Sequence, residues 1–210
     1  METIITDGDY SIIKHDDVFQ IYWKNHQLAT PNGNPVECDD PTIASKIIED
    51  INAYGEDSYT DPSSILSFHY TWTDFFSNMT TNDIIRMLNG LNWHRELFLQ
   101  PCPSPSPEIC MSWKSIFGGK ERATNIQQWL SQCSQKQLTA VTCIYNTTMS
   151  MNLAYVMAAI VEHVNPDDQE GPILEVASLF CQYVPFFTQD DIVRMFINFQ
   201  LFYCIDCTSE

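Results

Sequence analysis

The chain has 210 residues, 44% of them hydrophobic, enough to bury the core of one domain or of two small ones. Asp and Glu outnumber Lys and Arg by 27 to 10, a formal charge of −17 that repels phosphate backbones and anionic membrane surfaces, so no nucleic-acid partner is expected. No stretch approaches the length of apolar chain that spans a bilayer, and the opening Met1-Glu2-Thr3 carries neither an export signal nor an Arg-rich transit pattern, so the reading is a cytoplasmic protein with no membrane span.

The charge is uneven. Residues 1–62 hold 13 acids and 3 bases, whereas residues 63–122 hold 5 of each. A solvated acidic exterior that maintains solubility accounts for this pattern. The eight cysteines could pair arithmetically, but without export free thiols are the expectation, and Cys133, Cys143 and Cys181 fall on apolar helical faces.

In chain order, residues 10–14, 18–23, 27–30 and 35–38 read as short strands, separated by turns at His15-Asp16-Asp17, Lys24-Asn25-His26 and Pro31-Asn32-Gly33-Asn34. Each is too short to stand alone, so an antiparallel meander is predicted. Asp40-Pro41 then opens a helix, with aspartate as N-cap and proline at the first helical position. Ile43, Ala44, Ile47, Ile48, Ile51 and Tyr54 form one apolar stripe before Gly55 ends it. Asp61-Pro62 repeats the opening signal ahead of a second stripe from Ile65 through His69 and Trp72 to Phe75 and Phe76. Thr80 or Thr81 caps a third helix, which Gly90 bends or divides before a further segment at 93–99.

Four prolines lie between Pro101 and Pro107, and no helix crosses them. Residues 101–107 are therefore expected to connect a β-rich region with helices, 1–100, to a helical domain, 108–210. That domain begins with a short helix at 108–117 and another at 122–133. Ser134 and Gln137 make a capping box opening one long helix of about seven turns, ending near Val164. Pro172 starts the next helix, Pro185 stops it, and Thr188 with Asp191 caps the last. The fold class is α+β: a small antiparallel N-terminal β region with a flanking helix, followed by a mainly helical C-terminal part.

Catalytic patterns are missing. No glycine-rich phosphate loop is present, and no histidine pair has metal-ligand spacing. Cys204 and Cys207 form a C-x-x-C pair near the end of the sequence, and its nearest partners, Cys181 and His163, follow no recognisable ligand spacing. His69 reads as a hydrogen-bonded, semi-buried histidine, and the pairs Asp16-Asp17, Asp39-Asp40, Asp167-Asp168 and Asp190-Asp191 sit where carboxylates cap turns and helices. No catalytic, cofactor or metal site is expected, and the reading is not an enzyme. The aromatic residues Phe180, Tyr183, Phe186, Phe187, Phe196 and Phe199 exceed what two short helices bury easily, and form the candidate partner-binding surface.

One resemblance covers most of the chain in short matches. Leu28-Ala29-Thr30-Pro31 with Pro35, the helix around Ile43 to Ile51, the segment from Pro62 to Asp74, and Ser150-Met151-Asn152-Leu153-Ala154 resemble the F-type ATP synthase alpha-subunit assembly chaperone family. In that family a strand, a Leu-x-Thr-Pro turn and a second proline precede a helix, and a Ser-x-x-Leu-Ala pattern marks the long C-terminal helix. Leu28, Thr30, Pro31, Pro35, Asp74, Ser150, Leu153 and Ala154 are thus the fold-motif residues. The chain departs from the family where Lys24-Asn25-His26 replaces Asp-Gly-Arg, and no tryptophan follows Trp129. The resemblance implies a two-part α+β fold and a non-enzymatic protein whose client is an ATP synthase alpha subunit. The alternative is an acidic interaction module of the same fold with an unrelated protein partner.

Overall fold

In a computed structural model the structure describes residues 2–55, 57–91, 93 and 121–204. The connector expected at 101–107, the helix at 108–117, most of the segment at 93–99, and Cys207 lie outside the described residues.

Left-handed turn residues shape the sheet. Strands β1 (Glu2–Asp7), β2 (Tyr10–His15) and β3 (Val18–Trp23) form an antiparallel meander. Gly8 (φ 58°) and Asp16 (φ 53°) turn the first two corners, and Lys24 and Asn25, both at positive φ, turn the third into β4 (His26–Gln27). Two successive positive φ values give a turn whose twist matches that of the flanking strands. β1 is absent from the sequence expectation, because its strand character comes from pairing with β2 and not from an alternating pattern of its own.

The expected strands at 27–30 and 35–38 are shorter in the structure, as β4 and β5 (Glu37–Cys38), with one bridge between Ala29 and Pro35. Pro31 and Pro35 lack the N–H a ladder requires. The backbone between them folds on itself instead: Thr30 N donates to Asn34 O at 2.7 Å, and Gly33 N to Thr30 O at 2.8 Å. β5 returns to pair with β3, setting Cys38 opposite Phe19.

Helix α1 (Pro41–Tyr54) packs across the sheet on β2, β3 and β5. Asp40 accepts from Thr42 N at 2.7 Å, and Gly55 leaves the helix at φ 57°. Ile43, Ala44, Ile47, Ile48 and Ile51 are buried against Ile12 and Ile21, a directly opposed pair in the β2–β3 register. Each fully buried isoleucine contributes about 2 kcal/mol relative to exposure. Tyr54, placed on the same stripe by periodicity, is exposed at the helix end and lies against Arg194.

A short helix, α2 (Asp57–Thr60), precedes α3 (Ile65–Thr71). The N-cap of α3 is Ser64, whose Oγ accepts from Ser67 N. Asp61 does not cap it: its carboxylate closes a turn with Ser63 and receives Arg194. Beyond Thr71 the helix widens into a π-helical turn, Trp72–Phe76. The extra residue in the turn rotates the positions after it, so Phe76 enters the core while Phe75 is 62% exposed. Thr80 caps α4 (Thr81–Gly90).

The C-terminal part comprises α5 (Glu121–Leu130), α6 (Gln135–Thr148), α7 (Met151–His163), α8 (Glu170–Tyr183) and α9 (Gln189–Tyr203). Ser134 and Gln137 complete the expected capping box of α6, and Thr188 with Asp191 completes that of α9. The single long helix expected from 135 to about 164 is two helices. Met149 takes the left-handed conformation (φ 55°), and Ser150 recaps the chain by accepting from Leu153 N at 3.1 Å. Hydrophobic periodicity runs through the break because α6 and α7 both bury most of their surface, so it cannot reveal the corner. One buried cluster extends from Ile12 and Ile21 in the sheet to Phe199 and Tyr203 in α9.

Candidate interaction surface

Two of the segments that carry the resemblance, the loop at 28–35 and the turn holding Asp74, meet at one junction. Thr30 Oγ1 donates to Asp74 Oδ1 at 2.5 Å, and Asn34 Nδ2 donates to the same oxygen at 2.9 Å. Asn32 N reaches Asp74 Oδ2 at 3.3 Å, and Asn34 N donates to Thr30 Oγ1 at 3.2 Å. The π-helical turn presents Asp74 to this loop, and the two prolines hold the loop in the shape that aims three donors at it. Tyr70, one helical turn earlier, donates from its hydroxyl to Ala29 O at 3.4 Å. Burial, and then the nearby Asp74 carboxylate, push the Tyr70 phenol up to about 12, so it remains a donor at neutral pH.

Leu28 and Pro35 belong to the same loop, Leu28 O accepting from Val36 N at 2.9 Å. Ser150, Leu153 and Ala154 form the buried cap and first turn of α7 and make no part of the junction surface. Pro31, Pro62, Tyr70, Phe75 and Asn146 border a cleft of about 260 Å³ beside Asp74. Its rim combines an exposed phenyl ring with two prolines, and its floor carries hydroxyls and a carboxylate. Such a surface suits an apolar anchor with a few polar contacts. The sequence stripe placed Phe75 inward, and only the wide turn, which periodicity cannot detect, brings it out.

Behind the junction, Cys38 Sγ lies 3.9 Å from His69 Nε2. Both side chains are buried, and His69 Nδ1 has no hydrogen-bond partner. Burial, with Asp39 and Asp40 nearby, pushes the Cys38 thiol up to about 12. Burial and the Lys136 ammonium hold the His69 imidazole down to about 4. A nucleophilic pair requires the opposite: a depressed thiol and a base that can take its proton. Lys136 instead pairs with Asp39 and lies 5.9 Å from the Trp72 ring, tying α6 to the loop before α1. Among the described residues, no group of three or more His, Cys, Asp or Glu side chains is placed to hold a metal ion.

The aromatic residues nominated for partner binding divide sharply. Phe180 and Phe199 are fully buried and Phe196 nearly so, which removes these three from any surface. Phe187 is half-buried with its ring 6.0 Å from Phe180. Phe186 is 91% exposed in the turn between α8 and α9, and the side chain of Tyr183 lies outside the described residues. The fold buries more aromatic surface than two helices alone would, because α9 is packed by α3, α6, α7 and α8 together. Among the described residues no helix is long and apolar enough to cross a membrane. No family model, no curated protein and no solved structure matches the chain.

Proposed function

We propose that this protein is a non-enzymatic assembly chaperone that binds an F-type ATP synthase alpha subunit and shields an apolar surface of it until its assembly partner arrives. The observation that carries the reading is the junction between Thr30 and Asp74. Two of the short matches to the chaperone family, 44 residues apart in the chain, are hydrogen-bonded into one structural unit beside an exposed phenyl ring. Phe75 and the cleft next to it supply the anchor, and the acidic exterior keeps the loaded complex soluble. The raised Cys38 thiol and lowered His69 imidazole favour this reading over a cysteine–histidine enzyme.

The test is a cross-linked pull-down from source cells, followed by an aggregation assay with purified alpha subunit. The expected result is recovery of the alpha subunit, suppression of its aggregation, and loss of both in Phe75→Ser, an exposed-site change that leaves the fold intact. Recovery of a different single partner, or of none, would overturn the proposal.

A further inference from the structure

Helix α9 presents an apolar strip where an outer face should be polar. Its inward residues, Ile192, Met195, Phe196, Phe199 and Phe202, are buried. Its outward line runs Asp190, Arg194, Ile197, Leu201, Cys204, a spacing of about one residue per helical turn. At the centre Ile197 is 44% exposed, flanked by half-buried Val193 and Leu201. α1 forms the opposite wall. One cleft of about 580 Å³ lies between Tyr54, Lys46 and the Arg194 end of α9, and another of about 390 Å³ between Thr42, Ile43 and the Leu201 end. The two clefts share Ile197, so they form one trough. Asp190 and Leu201 lie about 16 Å apart along the helix axis, the length of three helical turns.

The charge of the trough selects its occupant. Both cations in it are neutralised by local partners: Arg194 by Asp61 at 2.5 Å, and Lys46 by Asp50 at 3.0 Å. Asp40, the N-cap of α1, stands at one end and Asp190 at the other, and neither forms an ion pair among the described residues, whereas Asp191 beside it is held by Thr188 and feels Arg194. Beneath the strip, Asn198 Nδ2 donates to Ser63 O at 3.0 Å and ties α9 to the turn before α3. A carboxylate without an ion pair at each end of an apolar strip, in a protein of charge −17, calls for an occupant with positive charge. A second copy of this chain is disfavoured, because two troughs face to face would set the same carboxylates against one another in a protein of charge −17.

We propose that the trough between α1 and α9 is a docking site for a basic amphipathic helix of a partner polypeptide, its apolar face on Val193, Ile197 and Leu201 and its Lys or Arg residues against Asp40 at one end and Asp190 at the other. This is the helix-in-groove mode of recognition, with acidic ends raising the on-rate and rejecting acidic helices. It does not depend on the client of the Phe75 surface.

The probe is a fluorescein-labelled amphipathic helix of leucine and lysine, about 18 residues long, titrated against the full chain by anisotropy. The comparison is a scrambled isomer with the same charge and no apolar face. The expected result is preference for the amphipathic isomer, with binding weakened at least tenfold by Ile197→Ser and several-fold by Asp190→Lys, and unchanged by Phe75→Ser. Hydrogen exchange of the wild-type complex should show new protection in α1 and α9, which keeps the test decisive should a variant fold poorly. Equal binding of the scrambled isomer, indifference to Ile197→Ser, a footprint elsewhere, or self-association of the wild type through this strip would each overturn the proposal. An unchanged Phe75→Ser result separates this site from the alpha-subunit reading.

Discussion

Thr30 and Asp74 are joined by a 2.5 Å hydrogen bond that fastens the loop after β4 to the π-helical turn after α3. The carboxylate also accepts from Asn34 and from the Asn32 backbone, so removing it strands several donors at once. Asp74→Ala is expected to cost about 2 kcal/mol in urea denaturation, the scale for hydrogen bonds to a charged group. Thr30→Ala should cost less. The double variant should fall short of the sum by about 1 kcal/mol, as for residues in one network.

His69 makes stability depend on pH. Its folded-state value is held down to about 4, against 6.5 for an unhindered histidine. Between those values the unfolded chain binds a proton that the folded chain refuses. The stabilisation is therefore complete above pH 6.5, declines as pH falls toward 4, and changes no further below that. The loss for this group is at most about 3 kcal/mol. Unfolding free energies measured from pH 4 to 7 should show this slope, and His69→Gln should flatten it. An unchanged slope in the variant would assign the effect to other groups.

Thiol labelling should rank the described cysteines by burial. Cys38, Cys133 and Cys143 are buried, and burial pushes each thiol up to about 12. Cys181 and Cys204 are partly exposed. With iodoacetamide at pH 8, peptide mass spectrometry should find Cys181 and Cys204 modified first and the buried three protected until the protein unfolds.

The corner between α6 and α7 holds a strained residue at the surface. Met149 is 64% exposed with φ 55°, a conformation a side chain pays for and glycine does not. Met149→Gly should leave stability level or raise it by up to about 1 kcal/mol, while Met149→Val should lower it by at least as much. Ser150→Ala removes a buried cap and should cost about 1 kcal/mol. Thermal unfolding of the three variants would rank them.

The legible parts of the fold were those with local physical causes. Asp40 with Pro41, Ser134 with Gln137, and Thr188 with Asp191 announce their helices because each cap satisfies donors within three residues of itself. The α+β order follows from a change of period, from two to 3.6. The features that escaped depend on distant partners or on backbone geometry the pattern does not encode. Asp61 reads as a cap until Arg194, 133 residues later, claims it. Phe180, Phe196 and Phe199 look surplus until the helices that cover them are counted from both halves of the chain. Phe75 and Ile197, which mark the two candidate surfaces, are apolar residues whose exposure arises from one widened turn and one unfilled trough.

The links from α9 back to α3 impose an order of events on synthesis. Arg194 reaches Asp61, Asn198 Nδ2 reaches Ser63 O, and the Phe202 ring packs edge-on to Phe68 and His69. Every one of these contacts waits for α9, more than a hundred residues downstream of α3, to be translated. Until α9 arrives, α3 has an open flank and His69 lacks the Phe202 ring that covers it, so the α3 side of the core stays incomplete while only the residues before α9 have been made. Nascent chains arrested before Gln189 should accordingly be protease-sensitive through residues 61–71, and chains that include α9 should not.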